Sequence, residues 1–136
     1  MAVAAHRGQC DRAGAPYILH PLRLMLQMDT DLERMVAVLH DVIEDTTLTL
    51  EQLRDEGFPA TVMEAIDHLT RRTDEEYEAY IQRISPHPLA CRVKLADLRD
   101  NMDTTRLAHP LTDQDWQRLQ RYRQAWQVIT SSDTGC

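Results

Sequence analysis

Glycine is nearly missing from this sequence, at four residues in 136, and phenylalanine occurs once. Alternation of apolar and polar residues is hard to find, so the turn-rich sandwiches and barrels of all-β proteins do not fit. No run of about 18 apolar residues occurs, and no membrane-spanning helix is expected. The opening MAVAAHRGQC has no long apolar segment, so a secretory leader is not expected either. Cysteine is scarce and scattered: Cys10, Cys91 and Cys136 form no C-x-x-C. We expect reduced thiols in a cytoplasmic protein, with neither a disulfide framework nor a zinc ribbon. Positive charge is short as well. A net charge of −7 argues against a nucleic-acid polymer or an anionic membrane as partner. An anionic substrate would need local help from a metal or from arginines. Lysine is all but gone: Lys94 is the one lysine among 15 lysines and arginines.

What remains is an ordinary globular balance, 43% hydrophobic and 27% charged, of a length suited to one domain over 1–136. Helix starts recur. TDLE (30–33), TLEQ (49–52) and TDEE (73–76) each place Thr three residues before Glu or Gln, and TDQD (112–115) is a weaker version. Pro21 and Pro59 suit first turns, and Gly57 suits a helix end. The pattern predicts helices over 2–9, 21–28, 31–45, 50–56, 60–72, 74–84, 88–103 and 113–130. The fold class is all-α, a single helical bundle with short connections. On the last helix Leu119, Tyr122, Trp126 and Ile129 form an apolar stripe, read as core without a ligand role.

Two helices carry polar strips. In VLHDVIEDTT (38–47), at about 100° per residue, His40, Glu44, Asp41 and Asp45 fall on one side and the apolar residues on the other. A wet helix face explains that pattern. Against it, Asp41 and Asp45 repel each other four residues apart, and His40 and Asp45 flank the apolar arc. In PLACRVKLADLRDNMD (88–103), Asp97, Lys94 and Asn101 share a narrow strip with apolar residues on both sides, while Arg92 and Arg99 mark the solvent side. An inward carboxylate needs a partner, which is either Lys94 or a metal. His20, before Pro21, is a helix cap, a packed ring or a third ligand. Two imidazoles with two or three carboxylates suit Mn, Fe or Zn better than Ca or Mg.

AHRGQCDRAGAPYILHP (5–21), VLHDVIEDT (38–46) and VKLADLRDNM (93–102) together resemble the HD-domain phosphohydrolases. The likeness is to the hydrolase domain of RelA/SpoT-type alarmone enzymes and their small stand-alone relatives, and it covers about residues 5–103. It implies an all-α HD fold that holds one divalent metal, usually manganese. By position, His20, His40, Asp41 and Asp97 match the metal ligands, and Glu44 and Asp45 match the acidic pair beside the attacking water. Tyr17 and Asn101 match residues lining a nucleotide pocket. Arg12 is either a phosphate contact or a partner in an exposed salt bridge. Lys94 is either a partner of the metal carboxylates or a second phosphate contact. The activity implied is hydrolysis of a phosphorylated nucleotide, with a guanosine tetra- or pentaphosphate 3′-pyrophosphohydrolase as its specific form.

The chain departs from that pattern. The family carries a basic pair where this sequence has Asp11 and Arg12, and a serine at Ala13. Leu98 stands for an arginine, Asp100 for a histidine and Asp103 for an arginine. The metal set is whole, but the nucleotide side is more acidic than the family's. The alternative reading is a nucleotide-binding or regulatory module with altered catalysis. Five residues precede His6 where the family has more helix, so a longer natural N-terminus is expected.

Overall fold

The computed structural model describes residues 1–131, so Cys136 lies outside the described residues. The chain runs through α1 (Ala2–Ala5), α2 (Leu19–Leu26), α3 (Asp31–Leu39), α4 (Val42–Asp45), α5 (Leu50–Asp55), α6 (Ala60–Leu69), α7 (Tyr77–Ile84), α8 (Pro88–Met102) and α9 (Asp113–Ser131). The described residues contain no strand, only an isolated antiparallel bridge between Cys10 and Pro16. No helix among them is long and apolar enough to cross a membrane.

Three of the four predicted start signals work as read. Thr30 Oγ1 accepts from Glu33 N (3.2 Å) while Glu33 Oε2 accepts from Thr30 N (3.2 Å), and Thr49 and Gln52 make the same reciprocal pair. The weaker TDQD also closes: Thr112 N donates to Asp115 Oδ2 (2.9 Å) and Asp115 N to Thr112 Oγ1 (3.2 Å). Each such cap is worth about 1 kcal/mol. Gly57 ends α5 at φ +88, a conformation that costs a side-chain-bearing residue energy.

The fourth signal fails. The helix expected at 74 starts at Tyr77: Glu76, the glutamate three residues after Thr73, becomes the N-cap itself with no side-chain cap bond, while Glu75 turns to Arg83. Its carboxylate takes Arg83 Nε (2.8 Å) and Nη2 (2.9 Å), and also the amide of Arg72 (3.1 Å). This clamp fixes the 70–76 loop, which stops α6 at Leu69 rather than 72. The Arg83 contact holds the Glu75 carboxyl at about 2, below its ordinary 4.5. A lowered folded-state value stabilises above the ordinary value and fades as the pH falls towards the folded one. Glu75→Gln is therefore expected to cost about 1 kcal/mol at pH 7. Thermal melts should show that gap narrowing from about pH 4.5 towards pH 2.

Other boundaries shift too. The first helix stops at Ala5, short of the expected 9, and α2 begins at Leu19, so His20 lies inside the helix and not at its cap. The helix expected over 31–45 is broken at His40–Asp41. His40 Nδ1 donates to the carbonyl of Ala37 (2.7 Å), the acceptor that an unbroken helix would offer the amide of Asp41.

At the centre lies α8, packed against α2, α3, α6 and α9. It buries Cys91, Val93 and Leu98 among Leu24, Val36 and Ile66. Leu98 is fully buried, so the position of that departure is a core position here. Arg99 keeps to the outside and stacks over Trp126 of α9 (5.5 Å to the ring centroid). The α9 stripe buries Ile129 and Ala125. Leu119 and Tyr122, expected to have no ligand role, also line a cavity beside α8.

Candidate metal centre

Three elements bring four side chains to one point. His20 comes from the second position of α2, His40 and Asp41 from the break between α3 and α4, and Asp97 from the middle of α8. His20, His40 and Asp97 are buried at 4, 3 and 5% exposure. His20 Nε2 lies 2.9 Å from Asp97 Oδ1 and 3.9 Å from Asp41 Oδ2. His40 Nε2 lies 2.9 Å from Asp41 Oδ2 and 3.5 Å from Asp97 Oδ1. The two rings meet edge to face, 5.3 Å apart. The helix break matters here. On a continuous helix His40 and Asp41 would point about 100° apart, whereas the kink turns both inward.

The outer nitrogens decide what the inner ones can do. His40 Nδ1 is engaged with the Ala37 carbonyl, and His20 Nδ1 lies 2.6 Å from Asp100 Oδ2. An N–H donated outward leaves a lone pair on Nε2 facing inward. His40 Nε2 is buried and has no hydrogen-bond partner, an arrangement a metal ion would satisfy. Charge points the same way. Burial disfavours a charged imidazole, yet Asp41 and Asp97 raise His40 well above its ordinary value. These carboxylates ask for a cation at that point. Two imidazoles and two carboxylates, with the second-layer bonds already made, fit a transition-metal ion.

Asp97 is held from behind. Lys94 Nζ donates to its Oδ2 (2.8 Å) and Asn101 Nδ2 to its Oδ1 (3.0 Å). Burial opposes ionisation, but Lys94, His20 and His40 outweigh it and keep the carboxyl well below the usual range. Lys94 is itself buried, with its ammonium 5.2 Å from the Tyr80 ring centroid. The two alternatives for Asp97 are therefore compatible, since one oxygen serves Lys94 and the other faces the imidazoles.

Glu44 and Asp45 stand on the exposed rim. Lost hydration on their inner side, then repulsion from Asp41, raises both carboxyls. Glu44 Oε1 also accepts from the amide of Arg71 (2.5 Å), and Gln9 Nε2 donates to the carbonyl of Asp45 (2.8 Å). Tyr17 donates its hydroxyl to Asp41 and packs its ring on His6 (4.9 Å) and His20 (5.6 Å). Beside this group opens a cavity of about 280 Å³. Arg12, Tyr17, Asn101 and His20 line it, and Lys94 does not.

Sequence reasoning missed the roles of Asp100, Arg23 and Arg106. Asp100 is buried, and besides His20 it takes Arg23 Nε (2.8 Å) and Nη2 (2.9 Å), with Arg106 Nη2 at 3.4 Å. The signal was present: on the α8 wheel Asp100 falls near 300°, inside the apolar arc and away from the solvent-marking arginines. The other acidic departures also have local partners. Asp11 Oδ1 accepts from the amides of Ala13 and Ala15 (2.9 Å each), closing a loop whose turn needs Gly14 at φ +82. Asp103 Oδ1 accepts from Thr105 N (3.0 Å) and its Oδ2 from Arg106 (3.2 Å).

Among the described residues one other group has metal-ligating spacing, Glu64, His68 and His87. There the tautomer is wrong. His87 Nδ1 accepts from the amide of Ala90 (3.2 Å) as the cap of α8, so in the neutral ring Nε2 carries the proton and has no lone pair to give.

No family model matches the chain. A guanosine-3′,5′-bis(diphosphate) 3′-pyrophosphohydrolase from Haemophilus influenzae is 38% identical over 115 positions, covering 74% of this chain and 17% of that protein. One of the same name from Vibrio cholerae is 36% identical over 121 positions, covering 78% and 17%. The chain thus spans about a sixth of the length of these relatives. In fold it is similar to a solved metazoan orthologue of SpoT described as hydrolysing ppGpp, with a TM-score of 0.80 at 22% identity, over 98% of this chain and 84% of that one.

Proposed function

We propose, from the premise that this chain is a homologue of the RelA/SpoT-type (p)ppGpp pyrophosphohydrolases, that it is a metal-dependent phosphohydrolase of a guanosine 3′,5′-bis(diphosphate) class nucleotide. One observation carries the reading: two imidazole Nε2 atoms, with their outer nitrogens engaged, converge on Asp97 and Asp41 within 2.9–3.9 Å. His20, His40, Asp41 and Asp97 would hold the ion, which we take as manganese from the family resemblance, the mixed nitrogen and oxygen donor set suiting Mn, Fe and Zn alike. When bound, it would supply positive charge to a phosphoryl group and make nearby water more acidic.

The remaining chemistry belongs to the chain. Glu44 and Asp45, with carboxyls raised above their ordinary values by lost hydration and the nearby Asp41, are placed to orient a water and take its proton. The water oxygen forms a bond to the phosphorus next to the ribose 3′ oxygen. The bond to that oxygen breaks, and pyrophosphate leaves while the 3′ oxygen gains a proton. Tyr17 fixes Asp41 and walls the cavity with Asn101 and Arg12, where we place the nucleotide. Lys94 acts from below, on Asp97. Because Asp11, Asp100 and Asp103 are each taken up by local donors, the acidic departures do not present free carboxylates that favour a lost activity. We place the enzyme in the cytoplasm, in keeping with its unpatterned cysteines.

The test is a nucleotide panel that includes ppGpp, incubated with the purified chain and Mn²⁺, with the products identified. Release of pyrophosphate and GDP from ppGpp, suppressed by chelator, is the expected result. Turnover of a different nucleotide alone would remove the alarmone substrate and leave the hydrolase. No turnover on any of them would remove both.

A further inference from the structure

The basic pair of the family falls on Asp11 and Arg12, and Asp11 spends its carboxylate on its own loop. Positive charge reaches the cavity from elsewhere. Arg23, one turn along α2 from His20, and Arg106, in the loop after α8, both line it. Neither waves freely. Asp100 grips Arg23 through two parallel bonds, while Arg106 donates to the Asp100 carbonyl (3.0 Å) and to Asp103 (3.2 Å). Both stay partly open, at 29 and 33% side-chain exposure. Arg23 Nη1 and Arg106 Nε have no protein partner among the described residues. Guanidinium groups already fixed in one orientation, with donors left over, lose little freedom on meeting a phosphate.

We propose that Arg23 and Arg106, braced by Asp100, form an anion clamp for a second phosphate group of the substrate, separate from the one that meets the metal. Asp100 also touches His20, so the clamp and the ligand set share one carboxylate and keep a fixed offset. The ligand class is a nucleoside phosphorylated at two positions. The clamp rests on the phosphohydrolase reading for which phosphate reacts, but on the arginine geometry alone for anion binding.

The experiment compares GDP with guanosine as probes, by calorimetry on the full Mn²⁺-loaded chain. The parent should prefer GDP, and Arg106→Gln and Arg23→Gln should each cut that preference about tenfold, with Arg106→Lys recovering part of it. Arg106 is the safer variant, since it sits in a loop, and a melt confirms its fold. An unchanged preference in both variants, or no preference in the parent, would overturn the clamp. A chain that binds GDP through these arginines yet never hydrolyses ppGpp keeps the clamp and loses the proposed substrate reaction.

Discussion

On the proposed function, His40→Ala is expected to abolish stoichiometric manganese binding and to lower ppGpp hydrolysis by at least about 10³-fold, on the order of 4 kcal/mol in the barrier. The variant removes one of two inward Nε2 donors while leaving Asp97 with Lys94 and Asn101. That makes it a cleaner probe than Asp97→Ala, which would strand the buried Lys94 ammonium at a cost of about 3–5 kcal/mol. The loss at His40 has its own structural share, because the bond to Ala37 goes with the ring. A second measurement separates the two. In the parent, Mn²⁺ at about 100 times its dissociation constant should stabilise folding by about 2.7 kcal/mol, and chelator should reverse this. In His40→Ala that shift should vanish. A parent whose melting temperature ignores both Mn²⁺ and chelator would refute the metal centre outright.

The parts of this fold that were legible in the sequence are those written in local chemistry. The Thr–Glu, Thr–Gln and Thr–Asp boxes are satisfied within three residues, so TDLE, TLEQ and TDQD mark real helix starts. TDEE has the same letters, but its box glutamate, Glu76, ends up as the N-cap of α7 with no side-chain cap bond, in a loop that Glu75 ties to Arg83, eight residues on. The same limit applies to the site. Asp97 was visible because apolar residues flank it on both sides of one helix. The His40–Asp41 break was not, since it depends on an imidazole taking a backbone carbonyl, which no wheel with a constant angle describes. Asp100 lay in the apolar arc of its own helix, yet its partners are 77 and 80 residues away on α2. As a letter it looked like lost basic character; in space it is the residue that organises two arginines and a histidine.

That role makes Asp100→Ala the second large effect. The variant strands Arg23 and removes the acceptor of His20 Nδ1 in one step. With Arg23 partly exposed, a stability loss of about 2–4 kcal/mol is expected. Manganese affinity should fall about 10–100-fold, because His20 would no longer be held in the tautomer and orientation that present its Nε2 lone pair. Asp100→Asn separates shape from charge. Oδ2 accepts from both His20 Nδ1 and Arg23 Nη2, and Oδ1 from Arg23 Nε. An amide with its oxygen in the Oδ2 position keeps the first two bonds and turns its nitrogen on Arg23 Nε; only the flipped amide forces His20 to accept at Nδ1 and to carry its proton on Nε2, against the metal. Asp100→Asn should therefore keep more stability and more metal affinity than Asp100→Ala. Equal manganese affinity in Asp100→Ala and the parent, read by titration at matched folded fraction, would mean that His20 does not depend on this carboxylate.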